Sequence, residues 1–441
     1  MSNLELIGIE RWSVASPTPA VEAFLRRPAF DERAEAAAAS CLEAIRGRGL
    51  EAVLEACKTF DHAELTAETI RVTEAELDAA EAACDETVKR AIHQAAERVE
   101  AFAKAGLRPD WTMPTPHGGR LGERFHAMDR VGVYIPGGTA PLASTSLMTV
   151  VLAKAAGVRE IVACTPSRGG LAVSAPLLYA LRVAGATEIY RVGGIQSIGM
   201  MAYGAGIRPV ELIAGPGNAY VTAAKRQVYG VVAIDQVAGP SEICVLADQA
   251  GKAKWIAADL LSQAEHGSGL EKSFLVTDSQ AFAEEVRREV VAQIAVRNRR
   301  EIIERMLANG GMLFAVVPDL AVDGVALCNR FAAEHLELQV ADADRVLPLI
   351  NCAGAVFVGY WTPESAGDFV AGPSHVLPTG GAARMFSGLT AETFRRRSSF
   401  VEFSREDLAE TRESIETFGR LEGLDAHAYA ATVRFEEAPV K

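Results

Sequence analysis

Four short segments of this 441-residue chain carry side chains that could do chemistry together: SQAEHG (Ser262–Gly267), AAEHLEL (Ala332–Leu338), ESAGDFVAGPSHVLPTGG (Glu364–Gly381) and LEGLDAH (Leu421–His427). They hold four of the eight histidines, each near a carboxylate or an amide, as in a metal-centred site whose ligands the fold must gather. Gln263 and His266 stand three apart in a helical run, so an amide oxygen and an imidazole nitrogen share one face. With Asp368 and His427 they form a nitrogen and oxygen set that suits zinc or another first-row dication; magnesium or calcium would want more carboxylates. Plainer readings exist for each: a polar helix surface for Gln263 and His266, a turn or cap for Asp368, an exposed ring for His427. Glu334 and His335 are a different pair. An imidazole that titrates near neutrality beside a carboxylate can move protons at one centre, whereas in a strand entry the two would face opposite ways.

Three Gly-rich loops follow strand-like runs: Pro136-Gly137-Gly138-Thr139 after RVGVYI, Gly193-Gly194-Ile195-Gln196 after EIYRV, and Gly215-Pro216-Gly217-Asn218 after ELIA. Each opens a helical segment, where backbone N–H groups and the helix dipole favour an anionic ligand such as a dinucleotide phosphate. Gly-rich turns are also common structural devices. A literal GxGxxA at Gly47, Gly49 and Ala52 lies inside a helical pattern with no strand before it and cannot form that cradle.

The elements that must position these residues read as layered α/β. Residues 33–106 show apolar residues at helical spacing, which predicts two or three amphipathic helices. From Arg130 onward nine β-branched runs (RVGVYIP, EIVACTP, EIYRVGG, ELIAGPG, VVAIDQV, EICVLAD, SFLVTD, MLFAVV and AVFVG) alternate with helix-length segments, the pattern of parallel sheets. Nine strands exceed one mononucleotide-binding half, so two sheets are expected. From about Ala391 the strand signal fades after FVEFS into a charged helix, LAETRESIETFGRLEGL. That piece is too short to bury a core alone and must dock on the α/β body or on a second copy.

Composition excludes other classes. A net charge of −13 speaks against a nucleic-acid partner, and no window approaches the roughly 20 apolar residues of a membrane span. The opening MSNLELIGIERW lacks the basic and apolar regions of a signal peptide, so a cytoplasmic protein is expected. Seven widely spaced cysteines with no CxxC pair predict reduced thiols and no thiolate zinc site.

Taken together and in order, YIPGGTAPL (Tyr134–Leu142), VGGIQ (Val192–Gln196), GPGN (Gly215–Asn218), AGPSE (Ala238–Glu242), DLLSQAEH (Asp259–His266), EHL (Glu334–Leu336), ESAGD (Glu364–Asp368) and HVLPT (His375–Thr379) resemble histidinol dehydrogenase over nearly the whole chain. The resemblance implies zinc- and NAD-dependent oxidation of L-histidinol through L-histidinaldehyde to L-histidine, the last step of histidine biosynthesis. Carried over by position, the zinc ligands are Gln263, His266, Asp368 and His427, and the general-base pair is Glu334 and His335. The NAD contacts are Tyr134, Gln196 and Asn218; the substrate contacts are Ser241, Gln263, His266, His335, Asp368, His375, Glu422 and His427. Glu422 matters most for specificity, because a carboxylate there can pair with a substrate ammonium group.

The implied architecture is two incomplete Rossmann-like parallel-sheet domains with small helical terminal domains. Residues 1–30 would form an arm, 31–133 with 243–386 the first α/β domain, 134–242 the NAD-binding domain, and 387–441 a helical domain docking on the partner of a homodimer with shared active sites. The chain departs from the family pattern at Phe369, Ser374 and Gly267-Ser268-Gly269, which leaves room for another primary alcohol as substrate. A zinc hydrolase is the alternative from a different class, since the same ligands plus a Glu base would suit water attack.

Overall fold

The alternation of β-branched runs with helices resolves, in a computed structural model, into two parallel sheets; the structure describes residues 3–26, 30–137, 142–167 and 169–436. In chain order the strands among these residues are β1 (Gly8–Arg11), β2 (Trp111–Pro114), β3 (Arg120–Ala127), β4 (Arg130–Tyr134), β5 (Glu160–Cys164), β6 (Glu188–Tyr190) and β7 (Leu212–Ala214). They continue with β8 (Ala233–Ile234), β9 (Glu242–Ala247), β10 (Lys272–Thr277), β11 (Met312–Val316), β12 (His335–Gln339), β13 (Ala355–Val358) and β14 (Arg395–Glu402). All nine expected runs contain a strand.

The two parallel sheets are built alike. One has the order β6-β5-β4-β7-β8, and the other β11-β10-β9-β12-β13 with β1 added beside β11. In each, the chain lays three strands outward from the first and then returns to its other side, which is the dinucleotide-fold order short of its sixth strand. β4 and β9 are buried along their whole length, as expected for central strands covered by helices on both faces. The apolar clusters on the two faces of the second sheet show why: Ile243 and Val245 pack with Ile256 and Leu260 on one side, Cys244 and Leu246 with Phe274 and Phe331 on the other.

Four α-helices rather than two or three occupy residues 32–105. Gly49, at φ 62, ends Glu32–Arg48 and starts a new helix at Leu50, and a Thr73–Glu76 capping box opens Glu74–Ala83. Glu86–Ala105 buries Ile92, Ala95, Val99 and Ala103 at helical spacing, and Asp85 caps it by accepting from Thr87 N and Val88 N at 2.8 Å. The GxGxxA match thus spans a helix-to-helix junction. All seven cysteines are free thiols.

Residues 3–26 are not a free arm: β1 pairs in parallel with β11, and Trp12, Val21 and Phe24 are buried in the core. The chain forms two compact units, Met1–Gly106 with Met128–Phe394, and Leu107–Ala127 with Arg395–Lys441. Residues 107–127, expected with 31–133, therefore group with the carboxyl-terminal stretch, because β3 pairs antiparallel with β14 from Arg120↔Glu402 to Ala127↔Arg395. The second unit is accordingly not wholly helical. Its helix Arg405–Glu422 starts at a Ser404–Asp407 capping box, and the Asp407 carboxylate also accepts from Thr115 Oγ1, His117 N and Gly119 N. Among the described residues no helix is long and apolar enough to cross a membrane.

Candidate active site and metal centre

The site in the first unit starts from a short backbone detour. Ala332 closes the helix Val325–Phe331 in the left-handed region, at φ 51, which costs a non-glycine residue about 1 kcal/mol. That turn delivers Glu334 and His335 to the amino end of β12, where both are buried. His335 Nδ1 lies 2.9 Å from Gln263 Oε1, and its Nε2 lies 3.5 Å from Asp368 Oδ1. Two further carboxylates flank the ring, Glu334 Oε2 at 4.0 Å and Glu364 Oε1 at 3.9 Å. Glu334 and His335 thus reach one centre, and Glu334 Oε2 also accepts from Glu242 N at 3.1 Å.

Gln263 is the penultimate residue of the helix Ala253–Ala264, and its Nε2 lies 3.2 Å from His266 Nδ1. The Gly267-Ser268-Gly269 exit is tied down, because Ser268 N and Gly269 N donate to the Glu271 carboxylate at 2.5 and 2.8 Å. Gly267 and Gly269 sit at φ 114 and 77, where a side chain would be strained. Ser374 likewise fixes its loop, donating to Met148 O at 2.8 Å, and Phe369 is exposed. His375 Nδ1 lies 3.0 Å from Asp368 O and its Nε2 lies 3.1 Å from Thr145 Oγ1, so both ring nitrogens have protein partners.

The charges explain one another. Burial disfavours the His335 imidazolium, but Glu334, Asp368 and Glu364 outweigh it and raise the ring to about 10. Burial, then the Asp368 charge, pushes Glu364 up to about 7. Asp368, although also buried, is held well below the usual carboxylate range by His335 and His375. Burial raises Glu334 and lowers His375.

This concentration of carboxylates calls for a cation. Donor atoms of His266, Glu364 and Asp368 all lie within 4.8 Å of one another, against the roughly 3.4 Å between neighbouring ligands of a tetrahedral zinc. Buried Glu364 Oε1 and His335 Nε2 have no hydrogen-bond partner. The set is imidazole and carboxylate without thiolate, which fits zinc or another first-row dication. A dication held at this cluster would offset the carboxylate charges that hold His335 protonated and free it to accept a proton.

Glu364, which stands with His266 and Asp368 in this cluster, was not singled out from the sequence, although its spacing of four from Asp368 on one helix face is the signal that would have found it. Ser241 immediately precedes β9 and Glu242, whose N–H holds Glu334. Glu422 and His427 lie in the second unit, both exposed, lining a hollow of about 290 Å³ with Phe418 and Leu424.

The expected dinucleotide contacts lie at carboxyl ends of the other parallel sheet. Tyr134 ends β4, and Asn218 caps the helix Ala219–Val228 after β7, accepting from Tyr220 N and Val221 N at 3.1 Å. β4 and β7 flank the point where strand order reverses, the usual crevice for a ligand in such sheets. Gln196, on the helix Gly194–Tyr203, is buried and donates to Asp61 Oδ2 at 2.8 Å; Asp61 had no sequence signal. A Cβ on Gly215 would lie 2.2 Å from Tyr134 O, so glycine lets these loops close on one another. Residues 138–141 of the first loop lie outside the described residues.

Comparison with known proteins decides the family. The histidinol dehydrogenase family model matches residues 25–435. The chain belongs to the histidinol dehydrogenase family. Histidinol dehydrogenase of Heliobacterium mobile is 42% identical over 422 residues, covering 95% of this chain and 98% of that protein. That of Rhodopseudomonas palustris is 44% identical over 404 residues, covering 91% and 93%. The crystal structure of histidinol dehydrogenase from Elizabethkingia anophelis superposes with a TM-score of 0.92 at 33% identity, covering 98% of each chain. Membership makes the chain a dehydrogenase of histidine biosynthesis acting on a small molecule and sets the hydrolase reading aside.

Proposed function

We propose that this chain oxidises L-histidinol in two steps to L-histidine, with zinc at the His266–Asp368 centre and NAD at the loops after β4, β6 and β7. The observation that carries the reading is His335, buried at 2% side-chain exposure between the Gln263 amide and the Asp368 carboxylate with Glu334 beside it. Zinc supplies a fixed charge that orients the substrate, and two NAD molecules accept the two hydrides.

The chain's own residues manage the protons. His335 Nε2, which has no hydrogen-bond partner, is the atom available to take the hydroxyl proton as the alcohol becomes an aldehyde. Glu334, whose charge burial disfavours, then accepts a proton from the water that adds to the aldehyde carbon, while His335 returns its proton to the carbonyl oxygen, leaving the hydrate and a neutral ring. His335 takes the hydrate's hydroxyl proton as the second hydride leaves. Gln263 holds the ring through Nδ1, so the same face of His335 serves both steps. Tyr134, Gln196 and Asn218 would contact the dinucleotide, and Ser241 and His375 would border the substrate.

In this reading Glu422 and His427 come from the partner of a homodimer, Glu422 facing the substrate ammonium and His427 joining the metal. The reaction would take place in the cytoplasm. The test is to supply L-histidinol and NAD to zinc-loaded protein and count NADH per histidine. Two NADH per histidine is expected. No turnover of histidinol, with oxidation of another primary alcohol, would overturn the substrate assignment.

A further inference from the structure

We propose that Glu337 and Asp259, two carboxyl groups in contact that share one proton, are positioning residues for the reaction: they fasten together the three elements that carry Gln263, His335 and Asp368. The inference rests on the reading of that centre given above and leaves its residues in their roles.

Spacing puts the pair where it can do this. Glu337 follows His335 by two in β12, so both side chains leave the same face of the strand. Asp259 precedes Gln263 by four on one face of the helix Ala253–Ala264, and Glu364 precedes Asp368 by four on one face of the helix Glu364–Phe369. Each element thus sends one residue to the site and a second, on the same face, to a neighbouring polar layer.

In that layer the second residues hold one another. Glu337 Oε1 accepts from Glu364 N at 2.8 Å, and the Glu337 carboxyl group is hydrogen-bonded to that of Asp259. Gln339 Nε2 donates to Glu337 Oε2 at 3.1 Å, and Ser262 Oγ donates to Glu364 Oε2 at 2.6 Å. The Glu364 N–H is one of the amides at a helix start that find no partner within the helix, and Pro363 before it gives no side-chain cap. Glu337 supplies the cap from the neighbouring strand.

Two charged carboxylates in contact repel, most of all where one is wholly buried as Glu337 is, and a proton between them turns the repulsion into a hydrogen bond. Burial and the Asp259 charge both raise Glu337, whereas Asp259 is only half-buried, so the proton belongs to Glu337 and the charge to Asp259. Glu337 then donates to Asp259 while accepting from Glu364. A neutral side chain of the same shape can do both. The reaction itself asks no proton of the pair, which acts only through where His335, Gln263 and Asp368 stand.

The experiment follows turnover of L-histidinol and NAD by the full-length protein, together with the visible d–d absorption of its Co²⁺-substituted form, which reports the geometry at the metal independently of turnover. Glu337→Leu is expected to lower kcat at least about tenfold, with the KM for NAD within about twofold of native, and to change the Co²⁺ spectrum. Glu337→Gln, whose amide N–H can donate to Asp259 and whose oxygen can accept from Glu364, is expected to keep kcat within about threefold of native and to keep the native spectrum. Asp259→Ala should fall between the two.

A folded Glu337→Leu with native kcat or a native Co²⁺ spectrum would overturn the proposal, and so would Glu337→Gln no better than Glu337→Leu. If Glu337→Leu does not fold, Asp259→Ala takes its place, native kcat being the overturning result. His335→Asn separates this failure from failure of the functional reading. If it too turns over at the native rate, the site is misassigned; if it alone is impaired, the site stands and only the role of Glu337 and Asp259 fails.

Discussion

Substituting His335 by Asn keeps a polar side chain beside Gln263 and Asp368 but removes the group that carries the proton. kcat should fall by about 10²–10⁴-fold while zinc content and the KM for NAD stay near native, measured by steady-state kinetics and metal analysis. A proportional rise in KM with kcat intact would instead make His335 a binding residue. At this scale much of the centre was legible. Gln263 and His266 meet as their spacing of three suggests, although His266 lies two residues past the helix that ends at Ala264, and Glu334-His335 adjoin. The alternatives stayed open because a polar helix surface carries the same spacing, and only burial distinguishes the two. Asp61 was illegible for another reason: it reaches Gln196 across 135 residues from a turn at Cys57–Asp61 with no motif around it. The positive φ of Ala332 is equally silent, since alanine gives no hint of a left-handed turn.

Strands declare themselves when both faces are apolar, which is why β4, β5, β9, β10 and β11 could be read directly. β12 could not. Its sequence HLELQ alternates polar and apolar residues like a solvent-facing strand, yet His335, Glu337 and Gln339 are all buried and form the polar wall leading from the site. β3 and β14 are Arg-rich and half exposed, and their pairing spans the whole first unit in sequence, beyond the reach of local patterning. The element holding the dinucleotide loops offers a prediction. Lys225, on the helix Ala219–Val228, pairs with Asp235 while buried and donates to Gly215 O at 2.9 Å; Asp235 in turn accepts from Gly215 N at 2.8 Å. Lys225→Met strands that carboxylate, so urea denaturation should register a loss of about 3–5 kcal/mol. The KM for NAD should rise because the Gly215–Asn218 loop loses its clamp. An unchanged midpoint would show that Asp235 finds another partner. Asp407 makes a pH prediction in the second unit. Despite burial, donors from Ser404, Thr115 and His117 hold its folded value well below the usual carboxylate range. Its contribution is therefore fully present above the unfolded value of about 4 and is lost as pH falls below that toward the lowered folded value. The stability gap between native protein and Asp407→Asn, from denaturation at successive pH values, should be constant near neutrality and shrink on acidification; a constant gap at every pH would contradict it.

The molecule as a whole places its proton-handling pair in one compact unit and its remaining expected ligand, His427, in another. The second unit is small and leaves Phe418, Leu421, Leu424 and Tyr429 exposed, with Phe418 and Leu424 lining the hollow that holds Glu422 and His427. An apolar rim around two polar residues is a poor surface to leave in water and a suitable one to dock. If His427 serves the site of a second copy, two dead variants must rescue each other. Asp368→Ala disables the first unit's half of the site, and His427→Ala disables the second's; each alone should be inactive. Unfolded together in equal amounts and refolded, the chains pair at random, and half the dimers carry one of each. In such a dimer both defects fall in one site and the other is intact, so about a quarter of native turnover should return. The same mixture combined without subunit exchange should stay inactive, which separates rescue from residual activity of either variant. If each chain instead completes its own site, every site in every dimer carries a defect, and no mixing protocol restores turnover.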